Sequence, residues 1–180
     1  SKQPTSSETP LNTQNNFIPY VKNTSIQDKK FPAGYEVKDG LVYKSGRLIE
    51  GADPITFKFV RGDLAKDKNH VYVNETIAPS VDPATFKYLG DEYFQDKNNI
   101  YCTCITEYII PVVDADPLTF KIIDFLADGS FDTSGYNIGK DKNNVYYQNK
   151  IVEDADPLTF KLLGGSLATD KSNIYYVAGY

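Results

Sequence analysis

Two short phrases decide the fold of this 180-residue chain. Residues 141–147 read Asp-Lys-Asn-Asn-Val-Tyr-Tyr, and residues 155–161 read Ala-Asp-Pro-Leu-Thr-Phe-Lys. Copies of the first phrase begin at Asp67, Asp96, Asp141 and Asp170, after a degenerate copy at residues 38–43. Copies of the second phrase end with the phenylalanines Phe57, Phe86, Phe120 and Phe160 and a lysine. Such recurrence is the signature of a tandem-repeat protein.

The tyrosine of the first phrase gives the length of the repeat. It recurs after 29 residues from Tyr43 to Tyr72 and from Tyr72 to Tyr101, but after 45 residues from Tyr101 to Tyr146. The interval then returns to 29 residues. The third repeat therefore holds sixteen additional residues, five before Asp116 and eleven after it.

The first phrase predicts a turn that leads into a strand. Its aspartate side chain can accept hydrogen bonds from backbone amides two or three residues later, and asparagine tolerates a left-handed backbone. Two apolar stretches, residues 145–147 and 151–152, flank a short polar loop. That arrangement is typical of a β-hairpin.

The second phrase predicts a single helical turn. Asp156 can cap a helix whose first residue is Pro157, but the glycine pair at residues 164–165 ends it within a few residues. Phe160 is then the buried apolar residue of the turn. The next strand is expected to begin at Lys161.

These elements predict a mainly β fold of tandem repeats of about 29 residues, each with about three short antiparallel strands and one helical turn. So small a unit cannot bury its own apolar face, so the repeats should stack into an elongated or curved array. We expect a single repeat domain over residues 31–180, containing about four and a half repeats. Residues 1–30 are expected to form a flexible tether.

The phrases also resemble a known family. Four near-exact copies are similar to the repeats of the bacterial DKNYY family, and the resemblance extends from about Asp39 to Tyr176. The first copy departs from the pattern at Gly40, the copies at Tyr72 and Tyr101 have a single tyrosine, and the third repeat is enlarged. The resemblance implies an exported bacterial protein and no particular activity.

The N-terminal composition also favours export. The chain contains no methionine, so we expect a segment upstream of Ser1 to have been removed. Residues 1–16 are mostly Ser, Thr, Asn, Gln, Pro, Lys and Glu, as in the tether of a mature bacterial lipoprotein. We expect a periplasmic or outer-membrane-associated protein that contacts the membrane only through a lipid anchor upstream of Ser1. An ordinary secretion signal and a trimmed cytosolic protein are the alternatives.

Charge argues against a nucleic-acid partner. The formal net charge is -5, the isoelectric point is near 4.9, and no cluster of Lys and Arg offsets this locally. No apolar run approaches the roughly 20 residues that a membrane-spanning helix needs.

The repeated residues are poor candidates for catalysis, because a catalytic group is needed once per site whereas a residue needed in every repeat supports the fold. We therefore interpret the four aspartates and four phenylalanines above as structural. His70 is the only histidine and takes a turn position held by Asn in the other copies, so no histidine metal site or catalytic triad can be built. We expect no enzyme, no cofactor and no metal.

Cys102 and Cys104 flank one residue of an expected strand, so both thiols should point to the same face. Buried or unpaired thiols, a mutual disulfide and an incomplete zinc site are the alternatives.

The enlarged third repeat is the best candidate for a binding surface. Residues 102–140 contain six acidic and two basic residues, interleaved with aromatics. Acids around aromatic anchors suit a protein partner with a basic rim and apolar pockets. The candidate partner-binding residues are Glu107, Tyr108, Phe125, Asp128, Phe131, Asp132 and Tyr136. A neutral insertion is the alternative.

These features favour a non-catalytic protein-binding module of the bacterial cell envelope, including an inhibitor or immunity protein that sequesters a toxin or effector. The alternative is a carbohydrate-binding, structural or accessory envelope lipoprotein. An exposed row of tyrosines would favour carbohydrate, and tyrosines packed between repeats would favour protein binding.

The tether hypothesis predicts that limited proteolysis removes residues 1–16 before any cut occurs in the repeats, because nothing in this segment can form a core. Mass spectrometry of early digestion products measures the order of cleavage. Protection of residues 1–16 in the isolated protein would contradict the hypothesis.

Overall fold

The computed structural model describes residues 26–104, 108–123, 137–164 and 166–177. These residues form nineteen strands in five small antiparallel sheets. Sheet 1 contains β1 (Lys29–Lys30), β2 (Tyr35–Lys38), β3 (Leu41–Lys44) and β4 (Arg47–Leu48). Sheet 2 contains β5 (Lys58–Arg61), β6 (Leu64–Lys66), β7 (Val71–Val73) and β8 (Thr76–Ile77).

Sheet 3 contains β9 (Lys87–Gly90), β10 (Tyr93–Gln95), β11 (Ile100–Cys102) and β12 (Ile110–Pro111). Sheet 4 contains β13 (Lys121–Ile122), β14 (Ile138–Lys140), β15 (Val145–Tyr147) and β16 (Lys150–Ile151). Sheet 5 contains β17 (Lys161–Gly164), β18 (Leu167–Thr169) and β19 (Ile174–Tyr176). The predicted mainly β class is confirmed, and no helix among the described residues is long and apolar enough to cross a membrane.

Each sheet is a meander in which neighbouring strands are consecutive in the chain. The first phrase joins the second and third strands of a sheet, as at β10–β11. The third and fourth strands are joined by two residues in sheets 1, 2 and 4, where a left-handed residue makes the turn: Ser45 (φ 50°), Asn74 (φ 54°) and Gln148 (φ 56°). Four of the sheets have four strands rather than three, because each repeat adds a two-residue strand after this turn.

The second phrase forms the single helical turn that the sequence predicts. The amide of Phe160 donates to the Asp156 carbonyl at 2.9 Å, a bond of helical spacing, and the equivalent bonds of Phe86 and Phe120 measure 3.1 and 3.0 Å. β17 then begins at Lys161, as expected. The phrase therefore connects the last strand of one sheet to the first strand of the next.

Consecutive sheets stack through shared cores. Leu64, Val71 and Val73 of sheet 2 pack with Phe94 and Tyr101 of sheet 3. Side chains alternate between the two faces of a strand, so Ala65 and Tyr72 of the same sheet pack toward sheet 1. Two further clusters join sheets 3 and 4, and sheets 4 and 5. Sheets 2, 3 and 4 thus each contribute to the cores on both of their sides, as in other stacked repeat proteins.

The phenylalanines of the second phrase lie in these cores, but they are not equivalent. Phe57, Phe86 and Phe160 are buried, whereas Phe120 is half-buried and its ring lies against Gly139. A side chain at Gly139 would overlap that ring. β1 also begins two residues before the domain boundary that we placed at residue 31, and Ile26 packs on the first core.

We predict that Phe160→Ala destabilises the fold by about 3–5 kcal/mol, because it removes a buried ring that lies 5.4 Å from the Tyr175 ring. Leu158→Ala is the matched control, since Leu158 belongs to the same turn and is exposed. Denaturant unfolding measures both variants. Equal stability of Phe160→Ala and wild type would show that the ring does not hold the turn in the core.

Candidate functional site

The aspartate of the first phrase is the centre of each repeat's polar network. The Oδ1 atom of Asp96 accepts the amides of Asn98 and Asn99, both at 2.8 Å, and so holds the turn. Its Oδ2 atom accepts the Tyr101 hydroxyl at 2.9 Å and the Asp82 amide at 2.8 Å. The same four bonds recur at Asp67, Asp141 and Asp170. One carboxylate therefore links the two phrases.

Side chains of the second phrase also take part in the network. The Asp82 carboxylate accepts the Ala84 amide and the Thr85 hydroxyl, and Lys97 of the first phrase lies 3.0 Å from its Oδ2 atom. The Thr85 hydroxyl in turn accepts the Lys97 amide at 2.9 Å. Equivalent ion pairs join Lys68 to Asp53, Lys142 to Asp116 and Lys171 to Asp156. Sequence reasoning missed the role of this lysine. The signal was present, because a lysine follows the aspartate in all four full copies of the first phrase.

The network sets the protonation of its members. Burial by itself would raise the pKa of Asp96, but the hydrogen bonds from the Asp82, Asn98 and Asn99 amides and the Tyr101 hydroxyl outweigh it and hold that pKa below its ordinary value. Burial and the bond to Asp96 raise the pKa of Tyr101 to about 12. At neutral pH the carboxylate is thus ionised and the phenol stays a donor.

Three tyrosines of the first phrase are buried between sheets and are not exposed to solvent. Tyr72, Tyr101 and Tyr146 are buried with their hydroxyls on the repeat aspartates. Tyr93 is also buried, and its hydroxyl lies 2.5 Å from the Asn137 carbonyl of the next sheet. The rings of these tyrosines are therefore not exposed as stacking surfaces.

His70 replaces the asparagine whose side chain bonds the tyrosine hydroxyl in the other copies. Its Nδ1 atom lies 3.3 Å from the Tyr72 hydroxyl, while Nδ2 of Asn99 lies 3.1 Å from the Tyr101 hydroxyl. No group of metal-binding side chains is found within the described ranges.

The sixteen additional residues lengthen two connections between strands. The first joins β11 to β12 with seven residues, 103–109, in place of two. The second joins β13 to β14 and includes residues 124–136. Cys102 and Cys104 form a disulfide at the start of the first connection, with their Cα atoms 5.3 Å apart.

An apolar groove of about 340 Å³ lies where the first connection faces sheet 2. One wall is β8 with the segment after it, and the other is the end of the first connection with β12. Tyr108, which is 69% exposed, stands on the second wall. The groove is lined by Val73, Thr76, Ile77, Ala78, Pro79, Ser80, Val81, Asn99, Tyr101, Tyr108, Ile109 and Pro111.

Two sequence differences distinguish this junction from the one between sheets 3 and 4. At the junction of sheets 3 and 4, the Val113 amide donates to the Asn149 carbonyl at 3.1 Å and ties the two sheet edges together. The equivalent of Val113 at the junction of sheets 2 and 3 is Pro79, which has no amide hydrogen. The two-residue turn that contains Asn149 in sheet 4 is replaced in sheet 3 by the longer connection. Neither part of the Val113–Asn149 bond has an equivalent between sheets 2 and 3.

The structure places one of the predicted partner-binding residues, Tyr108, at this groove. The other six, Glu107, Phe125, Asp128, Phe131, Asp132 and Tyr136, lie outside the described residues, and their role stays a prediction. Our sequence reasoning missed Ile77 and Pro79, since it compared only the two phrases. The signal was present: a proline stands where the equivalent positions hold Glu50, Val113 and Glu153.

Stacked antiparallel sheets tied by one recurring carboxylate define a tandem-repeat β protein. Comparison with family models matches residues 35–179 to the DKNYY family, so the chain belongs to the DKNYY family. No curated protein and no solved structure matches the chain.

The network predicts acid sensitivity. The pKa values of Asp67, Asp96, Asp141 and Asp170 all lie below their ordinary values in the fold. The unfolded chain then binds more protons in acid, so the stabilisation is complete above about pH 5 and is lost as the pH falls toward about 2. Thermal unfolding as a function of pH measures this loss.

Asp141→Asn tests whether the repeat aspartates cause this loss of stability, because the variant lacks one of the titrating carboxyl groups. Its free energy of unfolding should change less on acidification than that of wild type. Asp114→Asn, at an exposed carboxylate, is the control and should follow wild type. Identical acid profiles for Asp141→Asn and wild type would contradict the assignment.

Proposed function

We propose that this protein is a non-catalytic binding module of the bacterial cell envelope, which holds a segment of a partner protein in the groove between sheets 2 and 3. The observation that carries the proposal is the combination of an apolar groove with an exposed aromatic side chain, Tyr108, on its wall. Tyrosines at the edge of an apolar concavity are frequent anchors of protein interfaces.

The position of the groove supports this function. Loops lengthened on a regular scaffold commonly carry recognition, because the scaffold positions them while their sequence is free to vary. Sheet 3, from which the first connection starts, contributes to the shared cores on both of its sides. The strands that flank this connection therefore belong to the packed scaffold.

The packing of the tyrosines favours this function over carbohydrate binding. Stacking on sugars requires exposed rings, and the repeat tyrosines Tyr72, Tyr101 and Tyr146 are buried. A structural or accessory role in the envelope remains the alternative, and it predicts no specific partner.

Export and a lipid anchor upstream of Ser1 are part of the proposal. Within it, an inhibitor or immunity protein that sequesters a toxin or effector is the most concrete role. The acidic composition, with six acidic and two basic residues over residues 102–140, suits a partner with a basic rim.

The test is affinity capture of the partner from envelope extract, followed by measurement of its affinity for variants. We predict that Tyr108→Ala weakens binding by roughly tenfold to a hundredfold, mainly by faster dissociation, and leaves the unfolding midpoint unchanged. Tyr176→Ala is the matched control, since Tyr176 is exposed to a similar degree in sheet 5.

A second variant separates the two connections. Deleting the eleven additional residues from within 124–136 removes most of the second connection and leaves Asn137, β14 and the groove in place. Binding that survives this deletion and is lost in Tyr108→Ala assigns the contact to the groove. Full affinity of Tyr108→Ala, with loss in the shortened variant, would move the contact to the second connection.

A further inference from the structure

We propose that the partner segment binds as an extended strand added to the free edge of β8, with the backbone N–H and C=O of Ile77 as its hydrogen-bonding groups. This inference rests on the proposed function and specifies the class of ligand. The ligand is a linear peptide with apolar side chains at alternate positions and basic side chains between them.

β8 is the outer strand of sheet 2, and no described strand pairs with its free edge. Ile77 lies opposite Tyr72, and the next residue, Ala78, donates its amide to the Val71 carbonyl at 2.8 Å. In an antiparallel pair, successive residues direct their backbone groups alternately toward and away from the partner strand. Because Ala78 faces β7, the N–H and C=O of Ile77 point away from it.

The adjoining edge of sheet 3 is closed to such an addition. In sheet 3, Pro111 has the register position that Ile77 has in sheet 2, because Pro111 lies opposite Tyr101 and Ile77 lies opposite Tyr72. The amide of the next residue, Val112, donates to the Ile100 carbonyl at 2.8 Å, so the backbone groups of Pro111 also point away from β11. Proline has no amide hydrogen, and its presence on an edge strand prevents strand addition. Of the two edges that border the groove, only β8 offers both an N–H and a C=O to an incoming strand at this register.

At the equivalent edges of sheets 1 and 3, contacts join the neighbouring sheets. Between sheets 1 and 2, Arg47 of β4 lies 3.0 Å from Glu75. Between sheets 3 and 4, the Val113 amide donates to the Asn149 carbonyl. These contacts bridge the neighbouring sheets on the side where the groove opens between sheets 2 and 3. The edge of β8 therefore combines free backbone groups with space for side chains.

The ligand's side chains follow from this geometry. In an added strand, alternate residues point to the same face, so every second side chain would enter the groove between Val81 and Tyr108. The lining there is mostly apolar. The formal net charge of -5 of the chain favours basic side chains at the positions that face solvent. Backbone bonds give such peptides affinity, and the pocket gives selectivity.

The test selects binders from a displayed library of random linear twelve-residue peptides on the full chain. We expect enriched peptides with alternating apolar and basic residues. Their affinity should fall roughly tenfold for Ile77→Pro, which removes the N–H of the proposed backbone pair. The fold should accept this substitution, because Pro111 occupies the same register position in sheet 3.

Leu48→Pro is the matched control, since Leu48 has the same register position in sheet 1 and is similarly exposed. Its affinity for the peptides should equal that of wild type, and both proline variants should show the circular dichroism of wild type. N-methylation of the peptide amide that pairs with Ile77 should reproduce the loss.

Other outcomes overturn the inference. Peptides that lose affinity for Tyr108→Ala but bind Ile77→Pro as tightly as wild type would keep the groove as the binding site and exclude strand addition. Absence of any enriched peptide would exclude a linear strand as the ligand. Affinity for the captured partner that depends on Tyr108 would still support the proposed function in either case.

Discussion

The rest of the structure depends on a carboxylate that is shared between two phrases of the sequence. In each full repeat, one oxygen of the aspartate at Asp67, Asp96, Asp141 or Asp170 closes the turn of its own phrase, and the other binds a tyrosine hydroxyl and the first amide of the preceding helical turn. A buried carboxylate is costly unless its lone pairs are satisfied, and here they are. The bond fixes where the helical turn lies, and the turn places its phenylalanine in the core between sheets.

Much of this architecture follows from local pattern in the sequence. The hairpin at residues 145–151, the helical turn at Asp156 and the strand after Phe160 are all present as predicted, because turn chemistry and side-chain periodicity act over a few residues. The pairing of Asp96 with the Asp82 amide was not predicted, since it spans 14 residues and no local rule specifies it. The constant spacing of the two phrases contained that information.

The candidate site was less accessible to sequence reasoning. The sequence directed attention to the enlarged third repeat, and one of its residues, Tyr108, lies on the groove. The opposite wall belongs to sheet 2, however, where Pro79 stands in place of the residue whose amide bonds Asn149 at the next junction. Such a groove arises from the meeting of two repeats. The sequence of either repeat alone specifies only one wall of the groove.

The central claim is that one carboxylate holds the two phrases together, and hydrogen exchange in Asp96→Asn tests it most directly. The asparagine oxygen can still accept the amides of Asn98 and Asn99, but its NH₂ group cannot accept the Asp82 amide. The account predicts that the Asp82 amide loses protection while the amides of the turn retain theirs, in a protein that is less stable than wild type. Unchanged protection of the Asp82 amide would contradict the account.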